Sequence, residues 1–506
     1  MLILRHLAGP KERIPHMKFS AEAVSTFGSD EVTSDLASMA GRRVLISVPT
    51  GFQMRQFVHS GVIRLLHEHG IAVSIVSPSH SGEEFEKEVP KSVEICALNF
   101  KEGPVQQRYW AARQHLLLNG PPTDTLRQKM VDLWRRRPSA ALIAKIGNPL
   151  LRWFPSVRRK ALRWERLILR DKALDELLAT KAVDLVLLGT PGYMPQDGLL
   201  MHAAVHRRIP VMAAVMSWDN LSSKGFINPS PDCLLVWSDY MRREAMNLQG
   251  IPTEHIVETG SPVHDTYANA NRFGSRAENL RRLGLDPERR LIFYGTNHGG
   301  FITDEIEIVK KVAHWVENNA LGVPCQLLVR LHPQAISGIY KVPTDPYRAL
   351  ASQLVKIEFP LVRDSRLSWE LPKNDLDHLV GLLRDADVVI NSGSLSIDAA
   401  VLDRPVICIA YDSVSDLPYD RSVRRYYDYT HMLSLTRCRA VQLASSPEDL
   451  REKITAYLQR PDLDREGRRT LVEQQVGRVD GNSADRIVKA ILQMLSSRAE
   501  EASPSY

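Results

Sequence analysis

The sequence predicts an α/β protein of two Rossmann-like, doubly wound domains facing each other across a cleft, with a basic helical insertion in the first. Three observations carry that prediction. The chain has 506 residues, too many for one hydrophobic core and suited to two domains of roughly 200 residues each. Short apolar runs alternate with helical patterns in both halves, the rhythm of a parallel sheet. Two of those runs, at residues 327–329 and 388–390, stop abruptly in polar residues, and ligands of open parallel sheets sit beyond the carboxyl ends of strands.

The first domain is expected over residues 42–261. A strand at 44–48 ends in Pro49, Thr50 and Gly51, and a helix at 58–69 carries Val62, Leu65 and Leu66 on one face. Gly70 closes that helix and a second strand follows at 72–76. The basic insertion occupies about 105–180, after which strands at 183–188, 211–215, 233–237 and 255–259 alternate with helical stretches. Residues 262–289 are charged and lack strand character, which makes them the linker. The second domain, 290–495, has strands at 290–294, 327–329, 388–390 and 405–410, and helices at 304–318, 447–458 and 483–495. Residues 1–41 and 496–506 read as tails.

Composition is that of a globular protein, with 44% apolar and 25% charged residues. The five cysteines are scattered without CxxC spacing, which speaks for reduced thiols in a cytoplasmic protein and against zinc or a disulfide framework. No apolar run approaches the ~18 residues of a membrane-spanning helix. The net charge of +6 hides a concentration: residues 108–172 hold sixteen Lys/Arg against four acids, so the remainder is close to −6. That segment also holds Trp110, Trp134, Trp153 and Trp164, half of the eight tryptophans. Arg152 to Lys172 mixes aromatic and cationic residues as an interfacial element on an anionic membrane does. The other reading is an insertion whose aromatics pack inward while its arginines stay solvated. No nucleic-acid motif accompanies the charge.

The strand ends supply the candidate site. His332 precedes Pro333 and is therefore held extended, and Arg330, two residues earlier, points to the same face. Together they are expected to grip a diphosphate by charge-assisted hydrogen bonds; a histidine that merely caps a loop is the alternative. In the turn Asn391, Ser392, Gly393, Ser394, the glycine is expected to serve close backbone approach or an unusual φ. Ser394 and Ser396 then meet phosphate or act only as helix N-caps, and Asp398 holds a ribose hydroxyl or complements the helix dipole. Thr296, Asn297 and His298 lie in a glycine-rich stretch that lacks both GxGxxG spacing and a Walker lysine; it is expected to close over a nucleotide. On the first domain, Trp218, Asp219, Asn220 and Lys224 follow a buried strand. Asp219 is the expected general base and Lys224 a phosphate contact, unless the segment is a turn held by Asx bonds. Gly51, Gln53, Arg55 and Thr190 are expected to line the same cleft, with Gln53 or Arg55 touching an acceptor. No metal and no cofactor are expected.

These motifs resemble the GT-B glycosyltransferase superfamily, and most closely bacterial surface-polysaccharide transferases and their CDP-glycerol glycerophosphotransferase relatives. Those families carry a His-Pro motif and a later Ser/Thr-rich turn that bind donor phosphates, matched here by His332-Pro333 and by Ser392 to Ser396. The closing stretch from Val479 to Ile487 resembles their Asp-Gly-x-(Ala/Ser)…Arg-Ile ending. The resemblance spans about 42–495. It implies a metal-independent transfer from a nucleotide-sugar bound in the second domain to a glycan or lipid-linked acceptor on the first; the basic segment adds the expectation of a cytoplasmic protein at the inner face of the membrane. The absence of a glutamate at the spacing of retaining enzymes tilts the expectation to inversion. A CDP-glycerol-type polyol-phosphate transferase is the first alternative. UDP-N-acetylglucosamine 2-epimerases share the fold, but their His-x-Glu-Ala-Gly stretch is replaced here by Ala-Val-Met-Ser-Trp-Asp-Asn, residues 214–220. A non-catalytic scaffold subunit is the remaining alternative.

Overall fold

The computed structural model describes residues 41–78, 87–98, 102–337, 340–363, 367, 370–414 and 417–502. The tail expected at 1–41 lies, apart from Gly41, outside the described residues.

The first sheet contains β1 (Arg43–Ser47), β2 (Ala72–Ser77), β3 (Glu94–Ala97), β4 (Leu185–Leu188), β5 (Val211–Ala214), β6 (Cys233–Val236) and β7 (Ile256–Glu258). Their spatial order is β3-β2-β1-β4-β5-β6-β7, and every pairing is parallel. The second contains β8 (Arg290–Gly295), β9 (Cys325–Arg330), β10 (Val355–Glu358), β11 (Val388–Ile390), β12 (Val406–Ile409) and β13 (Gln442–Ala444), ordered β10-β9-β8-β11-β12-β13 and again parallel. The central strands are fully buried, which is why they read as unbroken Val/Ile/Leu runs. Strand order reverses between β1 and β4 and between β8 and β11. Those two switch points open the crevices in which doubly wound sheets bind ligands.

Between β3 and β4 run helices Pro104–Arg113, Asp124–Arg136, Pro138–Trp153, Pro155–Ile168 and Lys172–Thr180. The last helix, Ser483–Ala502, continues past residue 495 and does not belong to the second sheet. Its Ile487, Val488 and Ile491 pack with Val44, Ile46 and Leu66 of the first. The chain therefore crosses back at its end. Asp265 receives that helix by accepting from the Ser483 and Ala484 amides at 3.2 and 3.1 Å.

Candidate active site between the two sheets

The second-domain crevice is held open by side chains that tie its loops together. Thr296 Oγ1 accepts from the His332 amide at 2.9 Å, joining the loops after β8 and β9. Asn391 Nδ2 donates to Gly295 O at 2.9 Å while its Oδ1 accepts from the Gly393 amide at 2.8 Å, joining the β8 and β11 loops. A Cβ on Gly295 would lie 2.5 Å from Leu395 Cδ2, so a side chain there would force Leu395 to move. Glu305, which sequence reasoning passed over, anchors the β8 loop. It accepts from the Asn297 amide at 2.8 Å and from Asn297 Nδ2 at 2.9 Å, and burial pushes its carboxyl up to about 7.

Two imidazoles face this crevice's rim from adjacent loops. The His298 and His332 rings stand 5.9 Å apart, edge to face. His332 Nδ1 accepts from the Gln334 amide at 3.1 Å and His298 Nδ1 from the Gly300 amide at 3.2 Å. Each neutral ring therefore carries its proton on Nε2. Burial, and then the proximity of His298, press His332 down to about 4; burial also lowers His298. Both are neutral N–H donors at pH 7, so His332 offers a neutral hydrogen bond where a charge was expected.

Several expected ligands are committed elsewhere. Arg330 is buried in ion pairs with Asp375 at 2.6 Å and Glu358 at 3.0 Å, so its charge holds β9 to β10 and the helix Lys373–Asp385. Ser392 Oγ accepts from the Ile409 amide at 2.9 Å, and Ser396 Oγ donates to Asn391 O at 2.9 Å; both side chains are buried. Gly393 has no positive φ, and a Cβ there would meet its neighbours only at 3.5 Å. The expectation of an unusual φ is thus corrected, and the packing around this position makes no demand for glycine. Ser394 is exposed, makes no side-chain cap bond, and opens a helix of only seven residues, Leu395–Val401. Asp398 accepts from Tyr267 Oη at 2.8 Å and pairs with His264 Nε2 at 3.2 Å. Burial works against its charge, yet His264, Arg55 and Tyr267 together lower it. In place of a ribose hydroxyl, Asp398 holds the start of the linker that follows the first domain.

On the first domain the internal commitments repeat. Gln53 is fully buried, accepting from Thr50 and donating to Met216 Sδ at 2.9 Å; it cannot reach an acceptor. Thr190 gives both its amide and its hydroxyl to Asp197, at 2.9 and 2.6 Å, and burial raises Asp197 to about 6. Gly51 begins a short buried turn of helix. Arg55 lies at the seam between domains beside Tyr267 and Lys373. Asn220 Oδ1 accepts from the Met216 and Ser217 amides at 3.0 and 3.2 Å, so the turn is closed by a side chain reaching back along the chain, whereas the Asx bonds expected there reach forward.

Asp219 sits in a cluster the sequence did not reveal. Its carboxylate accepts from Ser223 Oγ at 2.6 Å and pairs with Lys224 Nζ at 3.3 Å. Lys129, from the insertion, and His431, from the second domain, complete the surroundings. Burial opposes the charge, but Lys224, His431 and Lys129 outweigh it and hold the carboxyl far below the usual range. A carboxylate held there has little affinity for a proton, which counts against the general-base role expected of it. Burial, then Lys224, brings Lys129 down to about 7, and Lys129 lines a cavity of about 1050 Å³ under the insertion. Trp218 meets the His431 ring at 5.0 Å, edge to face. Among the described residues, no group of three or more His, Cys, Asp or Glu could hold a metal ion.

The family model for the CDP-glycerol:poly(glycerophosphate) glycerophosphotransferases matches residues 222–493, more than half of the 506. The chain belongs to that family. The match begins beside Lys224 and takes in all but the last two residues of the second domain, including both histidines and the Asn391 turn. A comparison with curated proteins finds no significant match. Among solved structures, the chain is similar to a proposed UDP-N-acetylglucosamine 2-epimerase from Listeria monocytogenes, with a TM-score of 0.54 at 12% identity, covering 92% of this chain and 98% of that one. It is similar to S. aureus MnaA in a co-structure with UDP, at 0.53 and 10%, covering 92% and 99%. It is also similar to the Neisseria meningitidis UDP-GlcNAc 2-epimerase bound to UDP-GlcNAc, at 0.50 and 12%, covering 89% and 100%. At such identities the likeness is one of fold. This glycerophosphotransferase-family member shares with those structures a fold of two parallel-sheet domains.

Proposed function

We propose that this protein transfers a polyol phosphate from a CDP-activated donor to a hydroxyl on a glycan or lipid-linked acceptor. The observation that carries the reading is the pair His298 and His332 at the second sheet's switch point, both neutral, with their protons on Nε2. Two such donors suit the non-bridging oxygens of a diphosphate. The acceptor hydroxyl oxygen attacks the phosphorus bearing the polyol and gives up its proton to solvent, the bridging P–O bond breaks, and CMP departs with the electron pair. Phosphoryl transfer of this kind relies on positioning and charge more than on a strong base, which accords with an Asp219 that fixes Lys129 and Lys224. No metal takes part in this scheme.

The original expectation of sugar transfer is the second reading, favoured by the UDP and UDP-GlcNAc held by the S. aureus and N. meningitidis proteins of the same fold. The two differ in what leaves: sugar transfer releases a nucleoside diphosphate. Incubation with CDP-glycerol or a UDP-sugar and a polyol-phosphate acceptor, with chromatography of the nucleotide product, separates them. CMP supports the proposal, and UDP in its place supports the second reading. His332→Ala is expected to lower turnover at least ~10²-fold, with the melting temperature retained. Full activity in that variant would sink the assignment of His332.

A further inference from the structure

We propose that the outward face of helices Pro138–Trp153 and Pro155–Ile168 seats this protein on an anionic lipid bilayer. Nine of the sixteen large hydrophobic side chains exposed among the described residues lie on these two helices and their junction. The first helix is inverted. Ala140, Ala141, Ala144 and Leu151 face the insertion's own small core, while Leu142, Ile143, Ile146 and Leu150 face out. A helix packed only for solubility puts its bulky residues inward. On the second helix Trp164 and Leu167 are 65% and 70% exposed, and Trp153 at the junction is 67% exposed. Exposed apolar side chains concentrated on two helices that share one small core mark an interaction site.

Charge names the occupant. Residues 138–170 contain eight Lys/Arg and a single acid, Glu165. Glu165 is buried in an ion pair with Arg113 at 3.0 Å, so the solvent-facing charge is entirely positive. Arg159, Lys160, Arg163 and Arg166 are exposed beside the tryptophans. A second copy docking by the same face would bring cation against cation. An anionic bilayer instead offers acyl chains to the aliphatic residues, the headgroup layer to tryptophan, and phosphates to the cations. No helix among the described residues is long and apolar enough to cross a membrane, so the element lies on the surface. The insertion is fixed to the first domain by Arg113, whose guanidinium donates to Gly192 O at 2.9 Å and Asn228 O at 3.1 Å. Both carbonyls lie in segments leaving the carboxyl ends of β4 and β5, so the bilayer face belongs to the domain expected to hold the acceptor.

The test is co-sedimentation of the full chain with phosphatidylcholine vesicles and with vesicles containing one-third phosphatidylglycerol. Binding is expected only to the latter, and it should weaken as salt rises. Arg159→Glu/Lys160→Glu/Arg163→Glu and Trp153→Ser/Trp164→Ser/Leu167→Ser should each weaken it at least ~10-fold. All six positions are solvent-facing, so the melting temperature should stay within error of the parent, and vesicle binding is read without reference to catalysis. Equal binding to both vesicles, or binding indifferent to both triple variants, would overturn the proposal. So would a solution dimer broken by the same substitutions with no vesicle binding.

Discussion

His332 is a neutral imidazole whose proton affinity reflects its surroundings. Burial and His298 hold it to about 4, against roughly 6.5 in an unfolded chain. Between those values the unfolded chain takes up a proton that the folded one refuses, so this residue's contribution falls as pH drops from about 6.5 to about 4. His332→Asn removes the titration and keeps an acceptor for the Gln334 amide. Urea unfolding at a series of pH values should show the parent losing on the order of 1–3 kcal/mol relative to the variant across that window. A pH-independent difference would mean that His332 titrates normally in the fold. At this scale the sequence picked out polar strand ends but not the partners of their side chains. Asn391, Ser392, Ser396, Thr190, Gln53 and Arg330 were all reasonable ligands by type. Each instead satisfies a buried backbone group or carboxylate, because a strand end that opens a crevice must also pair its own polar groups.

At the scale of elements, the basic insertion depends on one buried charge. Arg113 and Glu165 are each only 1% exposed and lie 3.0 Å apart; Glu165 also accepts from Asn228 Nδ2 at 2.5 Å. Arg113→Met leaves the carboxylate uncompensated and should lower unfolding free energy by about 3–5 kcal/mol. Arg113→Met with Glu165→Leu removes both charges and should recover much of that loss in the same denaturation measurement. Equal losses in the two variants would mean that the guanidinium acts by packing alone, against Trp110 and Phe226. The insertion was legible in the sequence as a basic helical segment. The inversion of the Pro138–Trp153 helix was not, because periodicity shows that a face exists and leaves open which way it turns. Strands β3, β10 and β13 escaped notice as sheet-edge strands, short and partly exposed, with Glu94, with Lys356 and Glu358, and with Gln442 interrupting their apolar pattern.

At the scale of the molecule, the two domains meet through paired side chains. His264 and Tyr267 of the linker region grip Asp398. Thr125 of the insertion exchanges hydrogen bonds with Thr430, and Asp132 pairs with Arg425 at 3.0 Å. Asp398→Ala would leave the buried Tyr267 hydroxyl and the His264 ring without their acceptor, at a cost of about 1–3 kcal/mol. The thermal midpoint should fall, and small-angle scattering should report a larger radius of gyration as the seam loosens. An unchanged midpoint and radius would show that Asp398 carries no part of the interdomain contact.

The sequence by itself determined the two doubly wound sheets, the strand ends that flank the crevices, and the His-Pro and Ser/Gly motifs that carry the family likeness. All of these are local patterns of apolar period and turn chemistry, written in consecutive residues. Only the tertiary structure decided that Lys129, Asp219 and His431, three segments far apart in the chain, form one electrostatic cluster, and that the last helix returns to the first sheet. It also decided that Arg330 faces carboxylates in place of the crevice. These depend on which surfaces meet across the fold, and a side chain's charge state and partners follow from that meeting rather than from its neighbours in sequence.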